Sequence, residues 1–198
     1  MYDNTKAERV IKFIERLTTH TKGELAKQPF LLEDFQKKVI RDIFGNVNEE
    51  GNRIVREAFL FWPRKNGKTN FLAALGLYLL VSDNEPGAEI IVCAADRSQA
   101  GMIHEIQKQM VIQSPLLSER VKVYRNSIVA KDGSFIQARS ADADTAHGYN
   151  AHAVLFDELH SQPNRELYEV MKTSSGARRQ PLFFSISTAG YNKESICY

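Results

Sequence analysis

Apolar residues fall at Val10, Ile11, Ile14 and Leu17, the spacing of one helix face, so residues 7–17 read as a short amphipathic helix. The polar stretch 18–27 is a connection. Helical spacing returns over residues 33–44 and stops at Gly45, the expected C-terminal cap. Residues 46–53 form a polar loop. The period then shortens. Residues 57–62, 89–94, 153–156 and 182–187 are short continuous apolar runs, the pattern of buried strands. Residues 68–81, 97–112 and 165–172 carry helical patterns between them. Residues 121–124, 127–130 and 135–138 predict further strands, the last two joined by a turn at Lys131-Asp132-Gly133-Ser134. Strands alternating with helices predict an α/β domain with a mainly parallel central sheet flanked by helices. No internal repeat or low-complexity segment interrupts it.

Composition changes this picture little. The 198 residues are 43% hydrophobic and 25% charged, enough for one sizeable core. A net charge of +2 is too small for bulk charge to argue for nucleic acid. Cys93 lies in the apolar run IIVCAA and reads as a small buried hydrophobe; with Cys197 it makes no metal spacing, which suggests a reducing compartment. The start MYDNTKAERVIKF lacks a signal-peptide core, and no apolar run approaches the roughly 20 residues that span a bilayer. A cytoplasmic setting without a membrane partner is expected. The ending SICY follows the last predicted strand so closely that a fragment of a longer protein is expected.

Candidate chemistry sits at two strand ends. Gly67-Lys68-Thr69 closes like a phosphate-binding loop, yet the usual pattern asks for glycine where this chain has Trp62. The context fits: a strand, a short loop, then a helix whose N-terminal N–H groups favour an anion. Lys68 would reach the β- and γ-phosphates, and the Thr69 hydroxyl would ligate Mg²⁺. Gly67 would let the backbone approach the phosphate. A plain strand-to-helix turn with a solvated lysine is the alternative for these three residues alone. The second site is AVLFDELH, a buried strand delivering Asp157 and Glu158 at its carboxyl end. Asp157 would hold Mg²⁺ through water, and Glu158 would orient and deprotonate the attacking water. A helix-capping aspartate beside a solvated glutamate would look the same in isolation. The pairing with Gly67-Lys68-Thr69, in this order, favours the catalytic reading.

Two further stretches fit less sharply. Gln36, in LEDFQKKVIRDIFG, has an amide that suits the adenine edge, although a surface glutamine reads as well. FFSISTAG ends its strand with Ser187 and Thr188, hydroxyls that could sense the γ-phosphate; a strand end with the turn glycine Gly190 is the plainer reading. Lys37-Lys38 and Arg178-Arg179 read as solvated basic pairs. His104, His147, His152 and His160 have no metal spacing, and His160 reads as a capping or surface residue.

In this order, PFLLEDFQKKVIRDIFG, PRKNGKT, ADADTAHGYNAHAVLFDELH and SISTAGY resemble the ATPase domain of the large terminase subunit of tailed bacteriophages, most closely the lambda-like siphophage branch. The resemblance spans residues 29–198 and leaves 1–28 as an N-terminal helix and linker. It implies an ASCE-type P-loop NTPase with a deviant Walker A loop, so Trp62 does not break the loop. Pro63, Arg64, Lys65 and Asn66 would then bind nucleotide with Gly67, Lys68 and Thr69. Arg64 would reach the γ-phosphate; a surface arginine is the alternative. The implied function is an ATP- and Mg²⁺-dependent motor that packages viral double-stranded DNA into the procapsid. The setting would be the host cytoplasm and, transiently, the portal vertex. Implied partners are the DNA, the portal protein, the small terminase subunit and other copies in a homo-oligomeric ring. Relatives donate an arginine finger in trans; the corresponding place here holds His147, which leaves Arg97, Arg125 and Arg139 as candidates. The family's C-terminal nuclease has no counterpart, so DNA cleavage is not expected of this chain. A superfamily 2 helicase-like translocase shares these motifs but would show DEAH or DEAD in place of DELH. A truncated module that binds nucleotide without turnover is the third reading; the presence of Lys68 and Glu158 speaks against it.

Overall fold

The computed structural model describes residues 1–140, 148–176, 178–189 and 195–197. Its framework is a seven-stranded sheet: β1 (Glu57–Phe61), β2 (Glu89–Ala94), β3 (Val121–Val123), β4 (Ser127–Ala130), β5 (Phe135–Ser140), β6 (Ala151–Asp157) and β7 (Leu182–Ser187). The spatial order is β1-β7-β6-β2-β5-β4-β3. β1, β7, β6, β2 and β5 run parallel; β4 and β3 add an antiparallel ribbon at one edge. β6 and β7 are buried at every position and β2 at all but its first, as expected of parallel strands covered on both faces.

The buried strand expected at residues 57–62 is corrected: β1 is an edge strand. Its only described neighbour is β7, and Phe59 and Phe61 are exposed. An apolar run of this length reports a strand but not the number of its neighbours.

Among the described residues, six α-helices clothe the sheet: α1 (Asn4–Leu17), α2 (Asp34–Phe44), α3 (Lys68–Val81), α4 (Arg97–Gln113), α5 (Pro115–Ser118) and α6 (Glu166–Thr173). α3 is apolar around its whole circumference and buried along nearly its whole length, the pattern of an internal helix. It lies so close to the sheet that a Cβ on Gly76 would come within 2.7 Å of Ile136 Cδ1. α1 is capped by Asp3, whose carboxylate accepts from the N–H groups of Thr5 and Lys6. It packs on α2 and α3, with Phe13 edge-on to Tyr78. Gly45 does cap α2, but in a right-handed conformation (φ −79°); the constraint on it is space, since a Cβ would run into the Tyr2 ring and the Arg41 carbonyl oxygen. Among the described residues, no helix is long and apolar enough to cross a membrane.

The end of the sheet away from the strands' carboxyl termini is locked by charge. Arg53, 2% exposed, is paired with Asp83 at 3.2 Å, and Asp83 also meets His152 Nε2 at 2.7 Å. Arg178 bridges Glu85 at 3.3 Å and donates to the carbonyls of Asn150, Pro86 and Gly87. The solvated pair expected at Arg178-Arg179 is therefore half wrong: Arg178 is a half-buried clamp. Burial alone would raise the Asp83 pKa, but Arg53 and His152 beside it hold it below the ordinary 3.8. A carboxylate with a depressed folded pKa stabilises above the unfolded value and loses that contribution as pH falls through the folded one. Asp83→Ala is thus expected to lower stability at neutral pH by about 3 kcal/mol, since it leaves Arg53 buried without a counter-charge. The loss should shrink as pH falls from about 4, where the unfolded carboxyl titrates, through the lower folded value, where the parent itself gives up the ion pair. Urea denaturation at neutral and acid pH checks both.

Candidate active site

The loop after β1 is anchored before it turns. Trp62 is buried, edge-on to Phe35 and Phe71, and its N–H donates to the Ser187 carbonyl at 3.0 Å. The position that a standard loop gives to glycine is thus a packing anchor. The chain then makes a tight path through Lys65 and Gly67, both left-handed at φ 67° and 68°. Gly67 meets no atom closer than 3.7 Å where a Cβ would go, so its need for glycine is conformational. Asn66 stiffens the loop by donating to the Pro63 and Arg64 carbonyls.

Gln36 is not a surface residue. It is 3% exposed; its Oε1 accepts from the Glu33 N–H and its Nε2 donates to the Asn66 carbonyl at 3.3 Å. The amide therefore ties the start of α2 to the phosphate loop. It also borders a hollow lined by His20, Phe30, Phe35 and Asn70.

At the start of α3, Lys68 is only 6% exposed, yet its ammonium faces an open cleft. It donates to the Pro63 carbonyl at 3.2 Å and lies 3.5 Å from Glu158 Oε1. One helical position on, Thr69 Oγ1 donates to Asp157 Oδ2 at 3.0 Å. Asp157 Oδ1 is buried with no partner among the described residues. Burial pushes the Asp157 pKa up to about 6; the Thr69 hydrogen bond works against that, and the Glu158 charge adds to it. A buried, unpaired carboxylate oxygen beside a hydroxyl is a donor set that fits a hard divalent cation.

Glu158 follows β6 in a left-handed conformation (φ 49°), uncommon for a residue with a side chain. That twist turns its carboxylate back towards Lys68. Thr188, just past β7, donates to Glu158 Oε2 at 3.1 Å. His160, in the 3-10 turn Leu159–Ser161, places Nδ1 3.3 Å from the same oxygen and 2.9 Å from Ser187 Oγ. The expectation that His160 merely caps or faces solvent is corrected: its ring lies against the carboxylate of Glu158.

The cleft, about 520 Å³, gathers most of the residues singled out in the sequence: Arg64, Lys65, Gly67, Lys68, Thr69, Glu158 and Thr188. Arg64 is exposed at its rim. Pro63 and Asn66 shape the loop without lining this cleft, Asp157 lies beneath it, and Ser187 is buried behind His160. Asn70, Gln99, His160 and Ser161 also line it and were not anticipated. Asn70 carried a signal, adjacency to Thr69; Gln99 arrives from α4 and carried none. Arg97, Arg125 and Arg139 do not line this cleft but share a neighbouring one beside α4. His147 and Gly190 lie outside the described residues.

The profile of the family described as "Terminase large subunit, ATPase domain" matches residues 34–198. The large terminase subunit of Enterobacteria phage HK97 is 31% identical over 97% of this chain, which spans 38% of that protein. The crystal structure of the HK97 large terminase superposes with a TM-score of 0.84 at 30% identity, over all of this chain and 40% of that one. Two more distant likenesses show the fold alone. The Thermus phage P74-26 large terminase ATPase domain has a TM-score of 0.56 at 20% identity, over 69% of this chain and 61% of that one. The UvsW helicase of bacteriophage T4 has 0.60 at 12%, over 94% and 60%. The chain thus spans well under half the length of the HK97 protein.

Proposed function

The chain belongs to the terminase large-subunit ATPase family, and on that premise we propose that it is the ATP-hydrolysing motor domain that powers packaging of double-stranded viral DNA. The observation that carries this reading is one convergence. Lys68, Thr69 and Glu158 meet in a single open cleft, with Asp157 bonded to Thr69 just beneath it, at the carboxyl ends of β1 and β6, where open α/β sheets bind ligands.

Each residue has a role that its surroundings support. The loop and the first turn of α3 hold the β-phosphate on backbone N–H groups. Lys68 exchanges its Glu158 and Pro63 contacts for the β- and γ-phosphate oxygens. Released from Lys68 but still held by Thr188, Glu158 orients a water against the γ-phosphorus and takes its proton. Arg64 swings from the rim onto the γ-phosphate, where a guanidinium offsets the charge that spreads over its oxygens. Gln36 fixes the loop to α2 and meets adenine with the amide hydrogen that Asn66 does not use. Ser187 and Thr188 report the γ-phosphate to β7. Thr69 and Asp157 would hold Mg²⁺, which would supply charge neutralisation at the phosphates.

The proposed partners are the DNA duplex, the portal protein, the small terminase subunit and neighbouring copies in a ring. The proposed setting is the host cytoplasm and then the procapsid portal vertex. Arg97, Arg125 and Arg139 lie away from the cleft of their own subunit, which suits a finger given to a neighbour. Hydrolysis measured against protein concentration, with and without duplex DNA, tests the proposal. Specific activity should be low in dilute protein and rise steeply with concentration. A constant specific activity in dilute monomer would contradict catalysis shared between subunits.

A further inference from the structure

We propose that His160 is a positioning residue that couples the carboxylate of Glu158 to the end of β7 and, through it, to the phosphate loop; this rests on Glu158 being the general base. Three contacts carry the proposal. The His160 backbone N–H donates to Ser187 Oγ at 3.2 Å. Its Nδ1 lies 2.9 Å from the same hydroxyl oxygen and 3.3 Å from Glu158 Oε2. Ser187 in turn accepts from Trp62 N–H through its carbonyl, one residue before the loop begins.

One tautomer suits both partners of the ring nitrogen Nδ1. A proton on Nδ1 is shared between two acceptors, Ser187 Oγ and the Glu158 carboxylate. The Ser187 hydroxyl then keeps its own proton for the Thr188 carbonyl at 3.4 Å. With the proton on Nε2 instead, a lone pair would face the carboxylate at 3.3 Å. Glu158 Oε2 is thus gripped from two sides, by Thr188 and by His160, and both grips lead back to the Ser187–Thr188 corner.

The corner is a junction of three segments: the strand that enters the phosphate loop, the turn that follows β6, and the exit of β7. A shift of that corner moves His160, because Ser187 holds both its backbone N–H and its ring. His160 in turn resets the direction of the Glu158 carboxylate. The left-handed backbone of Glu158 is a sparsely populated conformation that persists because the surrounding contacts hold it.

The test measures hydrolysis by single turnover with enzyme in excess, and nucleotide affinity by equilibrium binding. His160→Ala is expected to lower the hydrolysis rate about tenfold while affinity changes less than about threefold, the loss of a hydrogen bond to a charged group felt only in the chemical step. Ser187→Ala should match it, and the double variant should be no worse than either single one, because the two act as a unit. His160→Asn, which can return an N–H near Nδ1, should recover most of the rate. Additive losses, or a loss of affinity equal to the loss of rate, would mean a merely structural role and overturn the proposal. Glu158→Gln, run in parallel, keeps the two ideas apart. If it is inactive while His160→Ala is fully active, the base stands and the coupling falls. If it is as active as the parent, the base reading itself falls. A second readout does not need turnover: the His160 ring ¹⁵N resonances should move when Mg-ATP is added to the parent, and move less in Ser187→Ala. Resonances indifferent to nucleotide would also overturn the coupling.

Discussion

Glu158→Gln is expected to bind Mg-ATP within about threefold of the parent and to hydrolyse it about a thousandfold more slowly, within the range that general-base catalysis supplies. The argument is local. The amide is nearly isosteric with the carboxylate, so it can still accept from Thr188 Oγ1, now at 3.1 Å from Glu158 Oε2. It can still hold a water. It cannot take the proton when the water's oxygen attacks phosphorus. The substitution also removes the negative charge 3.5 Å from Lys68, which frees the ammonium for phosphate. Binding should therefore hold or tighten while chemistry stops. Nucleotide affinity and single-turnover rate, measured on the same preparation, check the split.

Lys68→Ala is expected to weaken nucleotide binding by at least about a hundredfold, the worth of roughly two charge-assisted hydrogen bonds at 1.4 kcal/mol per factor of ten. Lys68 is nearly buried and its ammonium is held by the Pro63 carbonyl and the Glu158 carboxylate. Those contacts keep the charge aimed into the cleft before any phosphate arrives, so little ordering remains to be done on binding. Lys68→Arg should not rescue, because the planar guanidinium fork cannot occupy the narrow place of an ammonium between the loop and β6. Titration of a fluorescent ATP analogue into both variants would settle it; parental affinity in Lys68→Ala would remove the phosphate-loop assignment.

The parts of the fold that the sequence made legible are those set by short-range pattern. β2, β6 and β7 are continuous apolar runs because both sheet faces are covered, and their positions were read to within a few residues. α3 was equally plain. The error over β1 has the same physical root: an edge strand can be as apolar as a central one, and the composition of one run does not count its neighbours. The site divides in the same way. Lys68, Thr69, Asp157 and Glu158 were visible because each sits in a local strand-to-loop context. His160 was misjudged because its partner Ser187 is 27 residues away and meets it only through the pairing of β6 with β7. Gln36 was placed on the right element, but its bond to Asn66 depends on how α2 packs against the loop. The Arg53–Asp83–His152 cluster escaped notice for the same reason: three scattered polar residues become one buried network only after folding.

The most direct test of the central claim is single-turnover hydrolysis of γ-labelled ATP by concentrated protein, comparing the parent with Glu158→Gln after both are shown to hold nucleotide. The account predicts Mg²⁺-dependent phosphate release from the parent and almost none from the variant at equal occupancy. Equal release from both, or none from a fully loaded parent, would contradict it.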